Sequence, residues 1–112
     1  DPVGAGWGGL RGPTRTYWGW TRKAVAKFSQ PALVMVGDYD RLLASNMGLY
    51  GDLGTAHKAF LSIACASHFM MWERARHIQR RAVREWLDHG TLEGHTNGMF
   101  HADEHGNILP RD

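Results

Sequence analysis

Two short runs in the chain are apolar on both faces, Ala32–Val36 (ALVMV) and Lys58–Ala66 (KAFLSIACA). A strand with one wetted face alternates apolar and polar side chains; a strand buried on both faces does not. The segment between them, RLLASNMGLYGDL, repeats Leu43, Met47, Tyr50 and Leu53 at helical spacing, which predicts a helix over about 43–53 broken by Gly54. After the second run comes the longest periodic element, Met71–His89. Ala75, Ile78, Ala82, Val83, Trp86 and Leu87 form its apolar stripe, and Gly90 is placed as its C-cap. Arg74, Arg76, His77, Arg80, Arg81, Arg84 and Glu85 fall on the other side, as a solvated face. The order strand, helix, strand, helix predicts an α/β class with two parallel strands and flanking helices.

Two parallel strands make an unfinished sheet with an apolar open edge. The chain starts at Asp1, without methionine, in a Gly/Pro-rich stretch. The expectation is that further strands of the same fold lie upstream, so the missing targeting segment carries no information. Residues 1–30 read as a cap-like loop segment. Its first 20 residues hold six glycines and the large aromatics Trp7, Tyr17, Trp18 and Trp20, and a short helix over 21–28 has Thr21 as N-cap. Residues 91–112 read as a His/Gly-rich tail in which Met99–His101 pairs with Asn107–Leu109 as a hairpin. A net charge of +2, from 13 basic and 11 acidic residues, is too near balance for a nucleic-acid partner. No run approaches the length of a membrane span. The single cysteine, Cys65, excludes an internal disulfide and a cysteine zinc site, and its apolar run reads as core.

The first apolar run stops at Gly37 and is followed at once by two carboxylates, Asp38 and Asp40. Alone, Asp40 reads as a turn or helix-capping residue. A histidine, His68, lies 28 residues further on, one helix and one strand away, in Ala66-Ser67-His68-Phe69. A βαβ crossover brings both residues to the carboxyl ends of neighbouring strands, the edge at which open α/β sheets bind ligands. There a carboxylate accepting from one ring nitrogen fixes the histidine tautomer and leaves the other nitrogen to take a proton.

Residues 31–90 resemble the C-terminal portion of an α/β-hydrolase. PALVMVGDYD matches that family's P-x-L-V-x-x-G-x-x-D pattern at the end of its penultimate strand, and CASHFMMWE matches the S/G-H-F loop after its last strand, with a closing helix behind it. The resemblance implies that Asp40 is the triad acid, with Asp38 as the substitute, and that His68 is the base. It also implies an esterase- or lipase-like enzyme acting on a small hydrophobic ester, without a cofactor. The family's nucleophile lies on an upstream G-x-S-x-G elbow, and its oxyanion donors are upstream too. The serines here, Ser29, Ser45, Ser62 and Ser67, lack that setting, so this chain alone is expected to be inactive. In that reading Trp18, Trp20 and Phe69 face the substrate.

A different class remains open, a non-enzymatic module that uses its sheet edge for a partner or its tail for a metal. Two motifs are treated as chance matches. Gly4–Gly9 fits G-x-G-x-x-G but has no strand before it. His101–His105 fits the zinc-protease pattern H-x-x-E-H but sits among turn residues; His95, His101 and His105 would be its ligands.

Overall fold

The computed structural model describes residues 21–111. Helix α1 (Arg22–Val25) precedes strand β1 (Ala32–Gly37), helix α2 (Leu43–Asp52) and strand β2 (Lys58–Ile63). A 3-10 turn (Met70–Trp72) leads to helix α3 (Arg76–His89), and strands β3 (Gly98–Ala102) and β4 (Ile108–Pro110) complete the order. Thr21 does cap α1, its hydroxyl accepting from the Ala24 N–H at 3.2 Å.

The four strands among the described residues form one sheet, ordered β1-β2-β3-β4. This corrects the expectation of two strands. β3 and β4 pair antiparallel, with His101 opposite Leu109, as the hairpin reading anticipates. The pair is part of the main sheet, because β3 also runs parallel to β2 with Leu61 opposite Phe100. β1 and β2 are parallel, Val34 facing Phe60. Among the described residues β1 is an edge strand.

Both faces of the sheet are covered, which is why the strands carry apolar residues on both sides. Leu43, Met47 and Tyr50 of α2 pack on Val34, Val36 and Phe60. Ile78, Ala82 and Trp86 of α3 pack on Ala59, Leu61, Ile63 and Phe100. Phe60, Leu61 and Ile63 are fully buried, each stabilising the fold by about 1.5–3 kcal/mol. The two crossovers step across the sheet in one direction yet place their helices on opposite faces, so they have opposite hands. One of them therefore departs from the right-handed rule that holds for about 98% of such units. The second is the longer connection, passing through a turn in which Leu92 and His95 exchange backbone hydrogen bonds.

Polar side chains fasten the ends of the helices. The Lys58 ammonium donates to the Tyr50 and Leu53 carbonyls at the end of α2, at 2.8 and 2.9 Å. Gly90 ends α3 in the left-handed region, with φ 68°. Glu85 organises the chain from α3 into β3: it accepts from the Thr91 hydroxyl and from the Glu93 and Gly94 N–H groups. Burial pushes the Glu85 pKa up, but those three hydrogen bonds and nearby His89 outweigh it and hold the carboxyl below its ordinary value. A depressed carboxylate pKa adds stability above the unfolded value, and that stability is lost as pH falls through the folded one. Glu85→Gln is therefore expected to cost about 1–2 kcal/mol in urea unfolding at neutral pH. The gap should close in acid, once Glu85 protonates in the folded chain. A gap that persists there would show that the lost stability does not come from the charge.

Some boundaries and burial readings differ from the sequence reading. β2 stops at Ile63, and Ala64 and Cys65 make a turn. Cys65 is exposed and has φ 56°, so it is a turn residue and not the core residue expected. α3 begins at Arg76 instead of Met71, and Leu87 is 78% exposed, off the buried stripe.

Candidate active site

The turn after β1 is built to approach the loop after β2. A β-carbon on Gly37 would lie 2.3 Å from the Ala66 carbonyl oxygen, so only glycine permits the contact. Beyond it, the Asp38 N–H donates to the Ile63 carbonyl at 3.0 Å and the Tyr39 N–H to the Ala66 carbonyl at 2.9 Å. These bonds bring Asp40 against His68.

Asp40 uses its two oxygens for two tasks. Oδ1 accepts from the Leu42 N–H at 2.8 Å, which shapes the turn into α2. Oδ2 lies 2.8 Å from His68 Nδ1. The turn reading and the acid reading of Asp40 thus both hold, one on each oxygen. The Asp40 side chain is only 7% exposed while that of His68 is 63% exposed. A shielded carboxylate and an open imidazole are the arrangement in which the acid orients the ring and the far nitrogen meets a reactant. Among the described residues His68 Nε2 has no hydrogen-bond partner.

The His68 loop has its own brace. Glu73 accepts from the Ser67 N–H at 2.8 Å and from the Ser67 hydroxyl at 3.0 Å, and Ser67 Oγ accepts from the Phe69 N–H at 3.1 Å. This use of Glu73 explains why α3 starts late. Phe69 stands edge-on to His68, with ring centroids 5.6 Å apart and planes at 88°. Tyr39, Phe69 and Trp72 are all exposed at this edge, Trp72 at 78%. Trp18 and Trp20, the other expected substrate contacts, lie outside the described residues, as do the rest of the cap segment before Thr21 and the G-x-G-x-x-G match.

Asp38 does not meet His68; its carboxylate lies 3.8 Å from Nε2 of His101. The sequence reading missed this pair and the groups behind it, the fully buried Ser62 and the part-buried Arg111, because they come from segments far apart in the chain; Ser62 and Arg111 alone are 49 residues apart. The tail histidines are dispersed. His101 faces Ser62 and Asp38, His105 lies 3.5 Å from Glu104, and His95 is beside the Phe100 ring. No group of three or more metal-ligating side chains occurs among the described residues. A cleft of about 220 Å³ lined by Cys65, Arg74, Ile78 and His105 lies against α3, and neither Asp40 nor His68 lines it. No helix among the described residues is long and apolar enough to cross a membrane.

Compared with known proteins, the chain matches no protein-family model, no curated protein and no solved structure. What the geometry defines is a class of arrangement: a mostly parallel α/β sheet with a buried carboxylate and an open histidine at its carboxyl edge.

Proposed function

We propose that this chain supplies the acid and base of a Ser-His-Asp hydrolase of the α/β-hydrolase type, acting on a hydrophobic carboxylic ester. The observation that carries the reading is the 2.8 Å contact from the shielded Asp40 to Nδ1 of the open His68. In this reading Asp40 holds the proton on Nδ1, so Nε2 presents a lone pair. Nε2 takes the proton of a serine hydroxyl as its oxygen attacks the ester carbonyl, then gives it to the departing alkoxide. A water molecule repeats the sequence on the acyl-enzyme, and its proton follows the same route. The exposed Phe69 ring, edge-on to His68, offers apolar surface to such a substrate.

The attacking serine comes from residues outside these 112. Ser62 is buried against His101 and Arg111, and the Ser67 hydroxyl is engaged with Glu73. The test is a fluorophosphonate probe on the full-length polypeptide, with the labelled residue located by peptide mass spectrometry. The expected result is one labelled serine outside this chain, with labelling lost in His68→Ala. A folded full-length protein that takes no label would overturn the reading.

A further inference from the structure

The His68 side chain is 63% exposed, and among the described residues only Asp40 hydrogen-bonds its ring. One hydrogen bond at a wetted site is a weak constraint on a side chain that can also turn to water. The aim of Nδ1 must therefore come from the backbone that carries the ring. The residues on either side of His68 converge on one carboxylate. An ionised carboxylate only accepts, so the Ser67 hydroxyl proton lies on Glu73 Oε2, at 3.0 Å. A lone pair of Ser67 Oγ is then left for the Phe69 N–H, at 3.1 Å. The Ser67 N–H meets the other oxygen, Oε1, at 2.8 Å. Ser67 is thus tied to Glu73 twice, and Phe69 once through the serine hydroxyl, with His68 between them.

Glu73 is itself fixed to the core. It lies between Met70 and Ala75, both buried. Its N–H donates to the Met70 carbonyl at 3.1 Å, and its carbonyl accepts from the Arg76 N–H at 3.1 Å and from the Arg76 guanidinium at 3.0 Å. Its own backbone is extended, with ψ 180°, between the 3-10 turn and α3. Building on the acid–base reading of Asp40 and His68, we propose that Glu73 is a positioning residue, which through Ser67 aims His68 Nδ1 at Asp40 and sets the Phe69 ring beside it. The segment that opens α3 thereby serves the base as well as the packing of the sheet.

The test reads imidazole tautomers in the full-length polypeptide, ¹⁵N-labelled in histidine, by multiple-bond ¹H–¹⁵N spectra. The His68 signals are those lost in His68→Ala. It is run at about pH 9, well above the ordinary imidazole value of about 6.5, so that the rings are neutral. The tautomer of a neutral imidazole follows the hydrogen bonds it makes, so the His68 Nδ1–H to Nε2–H ratio measures how well the ring is aimed. Asp40→Asn should lower that ratio by about tenfold. If it does not, the acid–base pair fails, and the proposed function and the positioning role fail with it. Glu73→Gln leaves one acceptor oxygen for two donors and should lower the ratio by about threefold. Ser67→Ala removes the hydroxyl link to Phe69 and should lower it too; it decides the matter if the glutamine variant does not fold. The control is Glu85→Gln, which loosens the other end of α3 and should leave the ratio unchanged. With Asp40→Asn behaving as expected, an unchanged ratio in folded Glu73→Gln or Ser67→Ala overturns the positioning role alone. So does an equal fall in Glu85→Gln, since the ratio would then follow general loss of stability.

Discussion

On the proposed reading, ester turnover by the full-length polypeptide is expected to vanish with His68→Ala and to fall by roughly 10⁴ with Asp40→Asn. The asparagine effect follows from the two tasks of the carboxylate. Asp40 accepts from the Leu42 N–H on one oxygen and from His68 Nδ1 on the other. An asparagine has one carbonyl oxygen for these two donors. If that oxygen keeps the turn, the amide NH₂ faces His68 and drives the ring proton to Nε2, where a lone pair is needed. If it serves His68, the NH₂ opposes the Leu42 N–H and the turn strains. The measurement is kcat on a soluble ester, with circular dichroism to confirm folding. Near-normal turnover in both variants would remove Asp40 and His68 from the mechanism.

The second large effect is expected at Gly37. An alanine there would place its β-carbon 2.3 Å from the Ala66 oxygen, 2.5 Å from the Ala66 carbonyl carbon and 2.7 Å from the Ser67 oxygen. All three atoms are backbone, so no side chain can swing away, and the ends of β1 and β2 must separate. Gly37→Ala is expected to cost about 3–4 kcal/mol in urea unfolding. That is a large share of the roughly 5–15 kcal/mol typical of a domain. The matched control is Gly48→Ala in α2, where a β-carbon meets nothing within 4 Å. Removing a helix glycine there should stabilise by about 0.4–1 kcal/mol. Equal stabilities for the two variants would mean that the strand ends are not in forced contact.

The positions of Asp40 and His68 were legible because they depend on local grammar: apolar strands of limited length, a helix of fixed period between them, and a glycine where the turn begins. The parts that were not legible depend on distant partners. Cys65 lies in an apolar run, and nothing in KAFLSIACA announces that Ala64 and Cys65 leave the strand to form the turn before His68. The start of α3 is set by Glu73, whose carboxylate is engaged by Ser67. The tail read as peripheral because glycine, histidine and turn residues dominate it. Three of its apolar residues, Leu92, Phe100 and Ala102, are nevertheless buried in the core beside β2. A parallel strand has no hairpin turn to betray its partner. The Ser62–His101 contact escaped for the same reason, since register alone brings Ser62 opposite His101.

The turn at Cys65 has a practical consequence. The chain has one thiol, exposed and three residues before His68. A single maleimide dye or nitroxide attached there would sit on the loop that carries His68, with no competing attachment point on these 112 residues. Its mobility would report directly on that loop, so tightening when an ester analogue is added could be followed in the unaltered sequence.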